Sequence, residues 1–266
     1  MDGCKKMSER IKTGDYVLLY LDDKRKWLIK VEEDKEFHTH KGIVNLSDVI
    51  NKQWGSTIES TMGVKFALLR PALSDIVVNV SRNTNIIYPK DAGLILLNTR
   101  IGPGSLVVES GTGSGAFTTV LAYHVRPTGH VYSYEVRKEF IKTAKKNIER
   151  LGLSEFVTFK NENICMGIEE RNIDAVVLDM ATPWKVVEHA YNALKAGGFF
   201  VSYSPTIEQV MRTVVALKKS NGFADLKTVE VFVRDILVRS NKTRPSTRMI
   251  GHTGYLTFAK KKIKEN

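Results

Sequence analysis

The sequence is poor in cysteine: it contains only Cys4 and Cys165, and neither belongs to a CxxC or Cys/His spacing. This excludes a disulfide framework or a cysteine-ligated zinc site as the basis of the fold, and it favours a reducing compartment. His38 and His40 alternate on one predicted strand without a third ligand nearby, which indicates exposed strand histidines. We therefore expect no metal.

The chain also lacks a long apolar run, and its N-terminus is polar and charged rather than apolar. A membrane span needs about 20 consecutive apolar residues, and a secretory signal needs an apolar core. The sequence contains no convincing internal repeat. These absences predict a soluble, cytoplasmic protein with no membrane partner.

Acidic residues are in deficit, because 29 Asp and Glu stand against 40 Lys and Arg and leave a net charge of +11. Such an excess points to a polyanionic partner, although a basic solvated surface would give the same count. Charge alone does not separate these two interpretations.

The chain contains two consecutive regions that differ in their pattern of apolar and polar residues. Residues 1–70 carry short apolar runs at 16–21 and 27–31 separated by a polar turn, which predicts the hairpins of a small N-terminal β-domain. Residues 71–266 alternate strand and helix patterns, which predicts an α/β domain with a doubly wound sheet. The last two strands, 228–238 and 255–259, are predicted to pair antiparallel.

The stretch at 105–117, SLVVESGTGSGAF, is the most informative in the chain. It predicts a buried strand, a loop with Gly111, Gly113 and Gly115, and a helix over 116–125, so that backbone N–H groups face a ligand. A plain glycine turn is the alternative. The dinucleotide fingerprint asks for glycine at the position of Ala116. The acidic Glu109 before the loop instead favours a ligand with a cationic part, typically S-adenosylmethionine (SAM).

Two further acids follow predicted strands. Glu135 ends the strand at 129–134 and follows Gly115 by 20 residues, the spacing at which an acid binds ribose hydroxyls; alternatively it favours the dipole of the next helix. Asp179 ends the strand at 174–178 and is predicted to enter the same crevice. Trp184 follows it, either packing a helix or contacting a substrate.

The C-terminal part contributes a strand at 199–204 with Tyr203 at its active end, and then a segment over 244–254. Arg244, Arg248 and His252 lie in that segment, which is predicted to be a loop suited to holding phosphates.

Four motifs together resemble one family: IIYPKD at 86–91, ESGTGSG at 109–115, the acid-plus-PW stretch ending at Trp184, and RMIGHTGYL at 248–256. The chain is similar over nearly its whole length to the tRNA adenine-N1 methyltransferases that act on adenosine 58 of the T-loop, in particular the archaeal homo-oligomeric type. The resemblance implies a class I SAM-dependent methyltransferase fold, a Rossmann-like, mostly parallel seven-stranded sheet with one antiparallel strand. It also implies tRNA as partner and usually a homo-tetramer.

The resemblance assigns roles to individual positions. The implied SAM-binding residues are Tyr88, Pro89, Glu109, Gly111, Thr112, Gly113, Ser114, Gly115, Glu135, Asn163 and Asp179. The implied substrate-binding residues are Trp184, Tyr203, Arg244, Arg248 and His252. Ser110, Asn163 and Ala181 depart from the family's common Ala, Asp and Pro.

Asp179 is the predicted catalytic residue, accepting a hydrogen bond from the adenine N6 amino group while N1 attacks the methyl group. Two alternatives stay open. One is a SAM methyltransferase acting on a protein or a small molecule, and the other is a non-catalytic tRNA-binding subunit of such an enzyme. A nicotinamide oxidoreductase is disfavoured by Ala116.

Overall fold

The computed structural model of the protein describes residues 9–81 and 85–264, so that Cys4 lies outside the described residues. The chain divides into two compact units between Asn79 and Val80, later than the division at residue 70 proposed from the sequence. Within residues 9–81 and 85–264, none of the helices combines the length and the apolar composition of a bilayer-spanning segment.

The first unit is a small β-structure. Its elements are β1 (Tyr16–Asp22), β2 (Arg25–Lys30), β3 (Glu36–Thr39), β4 (Gly42–Asn45), β5 (Thr57–Glu59), β6 (Lys65–Leu69) and α1 (Leu73–Val78). A four-stranded sheet has the order β2-β1-β6-β5, and β3 pairs with β4 in a separate hairpin. Val17, Leu19, Phe66 and Leu68 are fully buried in its core. His38 lies on β3 with its Nε2 3.2 Å from a carboxylate oxygen of Glu36.

The second unit alternates strands and helices. Its elements are α2 (Pro89–Thr99), β7 (Leu106–Ser110), α3 (Ala116–Val125), β8 (His130–Tyr134), α4 (Lys138–Arg150), β9 (Val157–Lys160), β10 (Ile173–Leu178), α5 (Val187–Ala193), β11 (Leu194–Ser204), α6 (Ile207–Ser220), β12 (Phe223–Glu230), β13 (Ile236–Leu237), β14 (Arg244–Pro245) and β15 (Tyr255–Lys261). Short 3-10 turns of the chain lie at Ser47–Val49, Ser154–Phe156, Ile164–Met166 and Pro183–Val186.

A seven-stranded sheet with the order β12-β15-β11-β10-β7-β8-β9 forms the centre of this unit. Strands β7 to β11 pair in parallel, whereas β15 runs antiparallel to both of its neighbours. The apolar runs of β7 and β10 are buried, which is what a strand covered by helices on both faces requires. The mostly parallel sheet with one antiparallel strand is confirmed.

The predicted bounds of β12 are wrong. The strand begins at Phe223 and ends at Glu230, and the apolar run expected to continue it to residue 238 leaves the sheet. Its register with β15 ends where Glu230 pairs with Tyr255, the first residue of that partner. Arg244 also differs from its prediction, because it lies on β14, paired with Leu237, rather than in a loop.

Candidate active site

Three neighbouring strands end together and bring the predicted loop and acids to one edge of the sheet. Ser110 at the end of β7 is in register with Tyr134 of β8 and with Leu178 of β10. The next residues continue this pairing: the Gly111 N–H donates to the Tyr134 carbonyl at 3.1 Å, and the Asp179 N–H donates to the Ser110 carbonyl at 2.8 Å. The carboxyl ends of parallel strands are where open α/β sheets bind ligands.

The glycine loop requires glycine at both ends. Gly111 has φ +92°, and a Cβ there would lie 1.8 Å from the carbonyl oxygen of Asp179. Gly115 has φ +79°, caps α3, and leaves 3.0 Å between a built Cβ and the Cβ of Ala144. Only glycine accommodates these conformations together with such close approaches. The loop therefore lies directly against the end of β10 and against α4.

Glu109 is buried beneath this loop. One carboxylate oxygen accepts hydrogen bonds from the Thr118 hydroxyl at 2.6 Å and the Ser133 hydroxyl at 2.7 Å. Burial raises the pKa of Glu109 to about 7, against the opposing effect of these two hydrogen bonds, and the charges of Asp179 and Glu135 raise it further. Sequence reasoning missed Thr118 and Ser133, because they are ordinary hydroxyls on a separate helix and strand.

Glu135 connects the loop with the start of α4. Its carboxylate accepts hydrogen bonds from the backbone N–H of Gly113 at 3.2 Å and of Arg137 at 3.1 Å, and the Arg137 Nε lies 3.4 Å away. Its side chain is almost fully buried. The acid thus accepts hydrogen bonds from the glycine loop and from the start of α4, and its contact with ribose hydroxyls stays a prediction.

Asp179 is partly buried, and within the described part of the chain its carboxylate has no hydrogen-bond partner. Burial raises the pKa of Asp179 to about 7, and the charge of Glu135 raises it further. An acid in this state is available to a ligand, and a cation beside it would favour its ionised form.

The three acids interact with one another, and Arg137 is their one cationic partner among the described residues. In a chain of net charge +11, the strand ends are thus locally acidic. A pyrophosphate would be repelled here, whereas a ligand bearing ammonium and sulfonium charges fits the donor and acceptor set. The residues present therefore fit SAM better than a dinucleotide.

The other predicted cofactor residues lie around the same strand ends. The Thr112 hydroxyl lies 2.6 Å from that of Ser133, and the buried Ser114 hydroxyl has no partner among the described residues. Asn163 is exposed after β9, where its side-chain oxygen accepts from the Cys165 N–H at 3.0 Å. Tyr88 and Pro89 begin α2 as its N-cap and first residue.

A pocket of about 340 Å³ opens beside Asp179, and we call it the Asp179 pocket. Its size lies in the range of small-ligand sites. It brings Asp179 together with three of the other predicted site residues, Tyr88, Tyr203 and His252. Asn85, Ile86, Pro205, Ile250 and Thr253 complete its lining.

His252 is held by two acceptors, the Glu230 carboxylate at 2.6 Å from Nδ1 and the Pro205 carbonyl at 2.9 Å from Nε2. Both ring nitrogens can be satisfied at once only when both carry protons. In agreement, the hydrogen bond to Glu230, followed by that to Pro205, raises the pKa of His252. These two contacts hold the ring in one orientation in the wall of the pocket.

Tyr203 is also fixed by a hydrogen bond, because its hydroxyl donates its proton to the Thr253 carbonyl at 2.5 Å. Burial raises the pKa of Tyr203. A Cβ on Gly254 would lie 2.6 Å from the Tyr203 ring, so the segment before β15 passes closely over this side chain. The phenol is thus a neutral, immobile wall of the pocket.

The remaining predicted substrate residues lie elsewhere. Arg248 lines a second pocket of about 480 Å³ with Tyr88, Pro89 and Met249. Arg244 is exposed on β14. Trp184 is not among the residues that line either pocket. Its ring instead lies 5.1 Å from the Arg212 guanidinium of α6.

The sheet order, the glycine loop and the acidic strand ends together define a SAM-dependent methyltransferase of class I. Two solved structures support this class. The chain is similar to a structure described as a SAM-dependent O-methyltransferase from Thermotoga maritima, with a TM-score of 0.90, 36% identity and 100% of both chains covered. It is also similar to a tRNA (m1A58) methyltransferase TrmI from Aquifex aeolicus, with a TM-score of 0.81, 32% identity and 95% and 99% coverage.

Sequence comparison narrows the class to a family. Residues 67–244 match the model of the tRNA methyltransferase complex GCD14 subunit, and residues 10–58 match that of the TrmI-like N-terminal region. The chain is 39% identical to a tRNA (adenine(57)-N(1)/adenine(58)-N(1))-methyltransferase TrmI from Methanocaldococcus jannaschii, covering 92% of this chain and 94% of that one. It is 34% identical to a tRNA (adenine(58)-N(1))-methyltransferase TrmI from Thermus thermophilus, with 90% and 94% covered. The chain belongs to the GCD14/TrmI family of tRNA methyltransferases.

Proposed function

We propose that the protein transfers the methyl group of SAM to N1 of adenosine 58 in the T-loop of tRNA, giving 1-methyladenosine. The observation that carries this proposal is the position of Asp179. It belongs to the acidic strand ends that fit SAM, and it also lines the Asp179 pocket of about 340 Å³. We infer that this one carboxylate lies between the cofactor and the base that receives the methyl group.

The cofactor would be held by residues around the glycine loop. Glu109 and Asp179 offer negative charge, Glu135 offers a carboxylate for ribose hydroxyls, and the loop from Gly111 to Gly115 leaves room for close approach. Thr112 and Ser114 belong to the same loop, and Asn163 would lie beside the adenine ring. When bound, SAM supplies an electrophilic methyl group on a sulfonium.

The acceptor needs little chemical activation, because N1 of neutral adenine already carries a free lone pair. Asp179 accepts a hydrogen bond from the N6 amino group, which orients N1 and offsets the positive charge that develops on the base. The main work of the protein is therefore positioning and electrostatic stabilisation. The raised pKa of Asp179 is compatible with this role, since the cationic cofactor favours the carboxylate form.

A T-loop base must leave its stack to enter such a pocket. Tyr88, Tyr203 and His252 would surround the base there. Arg244 and Arg248 are exposed and would contact the RNA backbone, with Trp184 as a further substrate contact beyond the pocket. The excess of basic residues supports a polyanionic substrate.

The test uses labelled SAM and unmodified tRNA transcripts, followed by digestion to nucleosides and by primer extension to locate the modified position. We expect 1-methyladenosine at position 58, and we expect it to be lost in a transcript that carries guanosine at this position. A second transcript, with guanosine at position 57, tests the neighbouring nucleotide, because the Methanocaldococcus relative is named for both adenosines.

Three results would overturn the proposal. A methyl group on a ribose oxygen would instead agree with the description of the Thermotoga structure. Methyl transfer only to a protein or a small molecule would mean that tRNA is not the substrate. Binding of tRNA without any transfer would indicate a non-catalytic subunit. The homo-tetramer implied by the resemblance is a separate proposal, which light scattering on the purified protein tests.

A further inference from the structure

A buried ion pair at the start of α2 is connected to the segment that precedes β15. Asp91 is fully buried, and the Lys90 side chain is only 13% exposed, with its ammonium 2.9 and 3.0 Å from the two carboxylate oxygens of Asp91. The same ammonium donates to the Thr253 hydroxyl at 2.7 Å, and that hydroxyl donates to Asp91 at 2.9 Å. Lys90, Asp91 and Thr253 thus form a closed triangle of hydrogen bonds.

Thr253 is also held through its main chain, because its carbonyl accepts the Tyr203 hydroxyl proton at 2.5 Å. Its neighbour His252 is fixed by Glu230 and Pro205. Thr253, Tyr203 and His252 all line the Asp179 pocket. The triangle is therefore the attachment between α2 and one wall of that pocket.

We propose that Lys90, Asp91 and Thr253 are positioning residues, which fix the His252 and Thr253 wall of the Asp179 pocket so that the acceptor base lies with N1 aligned for transfer. This inference rests on the function proposed above. It assigns the three residues no contact with the reacting atoms; they act through the wall that they hold in place.

A phosphate-binding role for Lys90 is the alternative, since lysine near a nucleic-acid site is a common phosphate contact. The geometry opposes it. The three protons of the ammonium are matched by two Asp91 oxygens and one Thr253 oxygen, and its charge is neutralised by Asp91. If Lys90 contacted a phosphate, replacing Lys90 would raise the KM for tRNA and would weaken the dependence of tRNA binding on salt. A positioning role predicts a lower kcat instead, because small misplacements slow transfer steeply.

The first experiment compares Thr253→Val with the wild-type enzyme. Valine keeps the shape of threonine and removes the hydroxyl. We expect kcat at saturating tRNA and SAM to fall about ten- to a hundredfold, with the dissociation constant for SAM unchanged and a modest fall in the thermal midpoint from the two lost hydrogen bonds. Thr253→Ser keeps the hydroxyl and is expected to recover most of the loss.

Thr257→Val is the matched control, because the Thr257 side chain is buried and its hydroxyl bonds, among the described residues, the Thr228 hydroxyl alone, at 3.0 Å. This control should keep the wild-type kcat. A Thr253→Val enzyme with wild-type kcat, or one whose loss is confined to the KM for tRNA, would overturn the inference while leaving the methyl transfer itself established.

Lys90→Met is the second variant, measured together with its thermal midpoint. If it folds, kcat should fall as in Thr253→Val, and combining the two changes should add little, because both open the same triangle. A fully additive double variant would contradict a shared role. If wild-type protein made no 1-methyladenosine at all, the proposed function would fail before this comparison began.

Discussion

A methyl group built on Gly111 would lie 1.8 Å from the carbonyl oxygen of Asp179. The two residues directly follow neighbouring strands, β7 and β10, and their main chains touch at the edge of the sheet. The loop proposed to hold the cofactor and the acid proposed to orient the base are therefore in direct contact. A change in either position is expected to displace the other.

Gly111→Ala tests this contact, and Gly14→Ala is its matched control. Both glycines have φ +92°, but a Cβ on Gly14 meets nothing within 4 Å. The control carries only the strain of a left-handed residue, about 1–2 kcal/mol. We expect Gly111→Ala to lower the thermal midpoint more than Gly14→Ala does and to abolish SAM binding, which calorimetry measures. Equal effects of the two substitutions would show that the close approach is unimportant.

Asp179→Asn should separate binding from transfer. The amide retains an acceptor oxygen but lacks the charge that offsets the developing cation, so we expect kcat to fall by about two orders of magnitude or more. SAM should still bind, because Glu109 and the loop remain. Single-turnover assays and calorimetry measure the two effects. Wild-type turnover in Asp179→Asn would remove this residue from the mechanism.

SAM affinity should depend on pH through Glu109 and Asp179. The pKa of each is raised to about 7 in the protein without ligand, and a cationic ligand favours the ionised forms. Binding should therefore release protons, and affinity should rise from pH 6 to pH 8. Calorimetry in two buffers of different ionisation enthalpy measures the proton release. Glu109→Gln, whose amide oxygen can still accept from Thr118 and Ser133, should show a smaller release.

The same raised pKa values make the free energy of unfolding fall as pH rises, whereas they make the affinity for SAM rise. Between the ordinary pKa of a carboxylic acid and about pH 7, the folded protein binds more protons than the unfolded chain. Stability without ligand should accordingly fall as pH rises across this range, by at most about 1.4 kcal/mol per pH unit for each group. Urea titrations at several pH values should give a shallower slope for Glu109→Gln; an unchanged slope would mean that Glu109 titrates normally.

Arg244→Ala and Arg248→Ala should weaken tRNA binding in a salt-dependent manner. Each lost phosphate contact should lower the slope of log affinity against log salt by about one. Lys195→Ala is the matched control for net charge, because Lys195 is paired with Asp174 at the start of β11. Filter binding at several salt concentrations would decide. Equal slopes for the three variants would mean that only total charge matters.

The sequence predicted the parts of this site that lie within one stretch. The glycine loop, the helix at 116–125, and Glu135 and Asp179 at their strand ends all follow from local patterns. The hydroxyls around Glu109 and the bonds of Thr253 to Lys90 and Asp91 were not predicted. They join residues far apart in the chain, and no local periodicity indicates such pairs.

The error at β12 has a different origin. The run from residue 231 to 238 is rich in β-branched and aromatic residues, as strands are, yet Phe232, Val233 and Val238 are exposed outside the sheet. A strand needs a partner backbone, and β15 provides one only up to Glu230. The length of β12 is thus fixed by its neighbouring strand. Strand propensity describes one segment alone and does not indicate where its partner ends.

The position of β15 has a consequence for synthesis of the chain on the ribosome. Strand β12 is made earlier, but in the finished sheet it bonds to β15 rather than to β11. Until residues 255–261 emerge, the edge of β11 stays open and β12 has no place in the sheet. The wall carrying His252 and Thr253 precedes this last strand directly. A nascent chain should therefore acquire its acceptor pocket only when the last sheet strand has been translated, after the glycine loop has already formed.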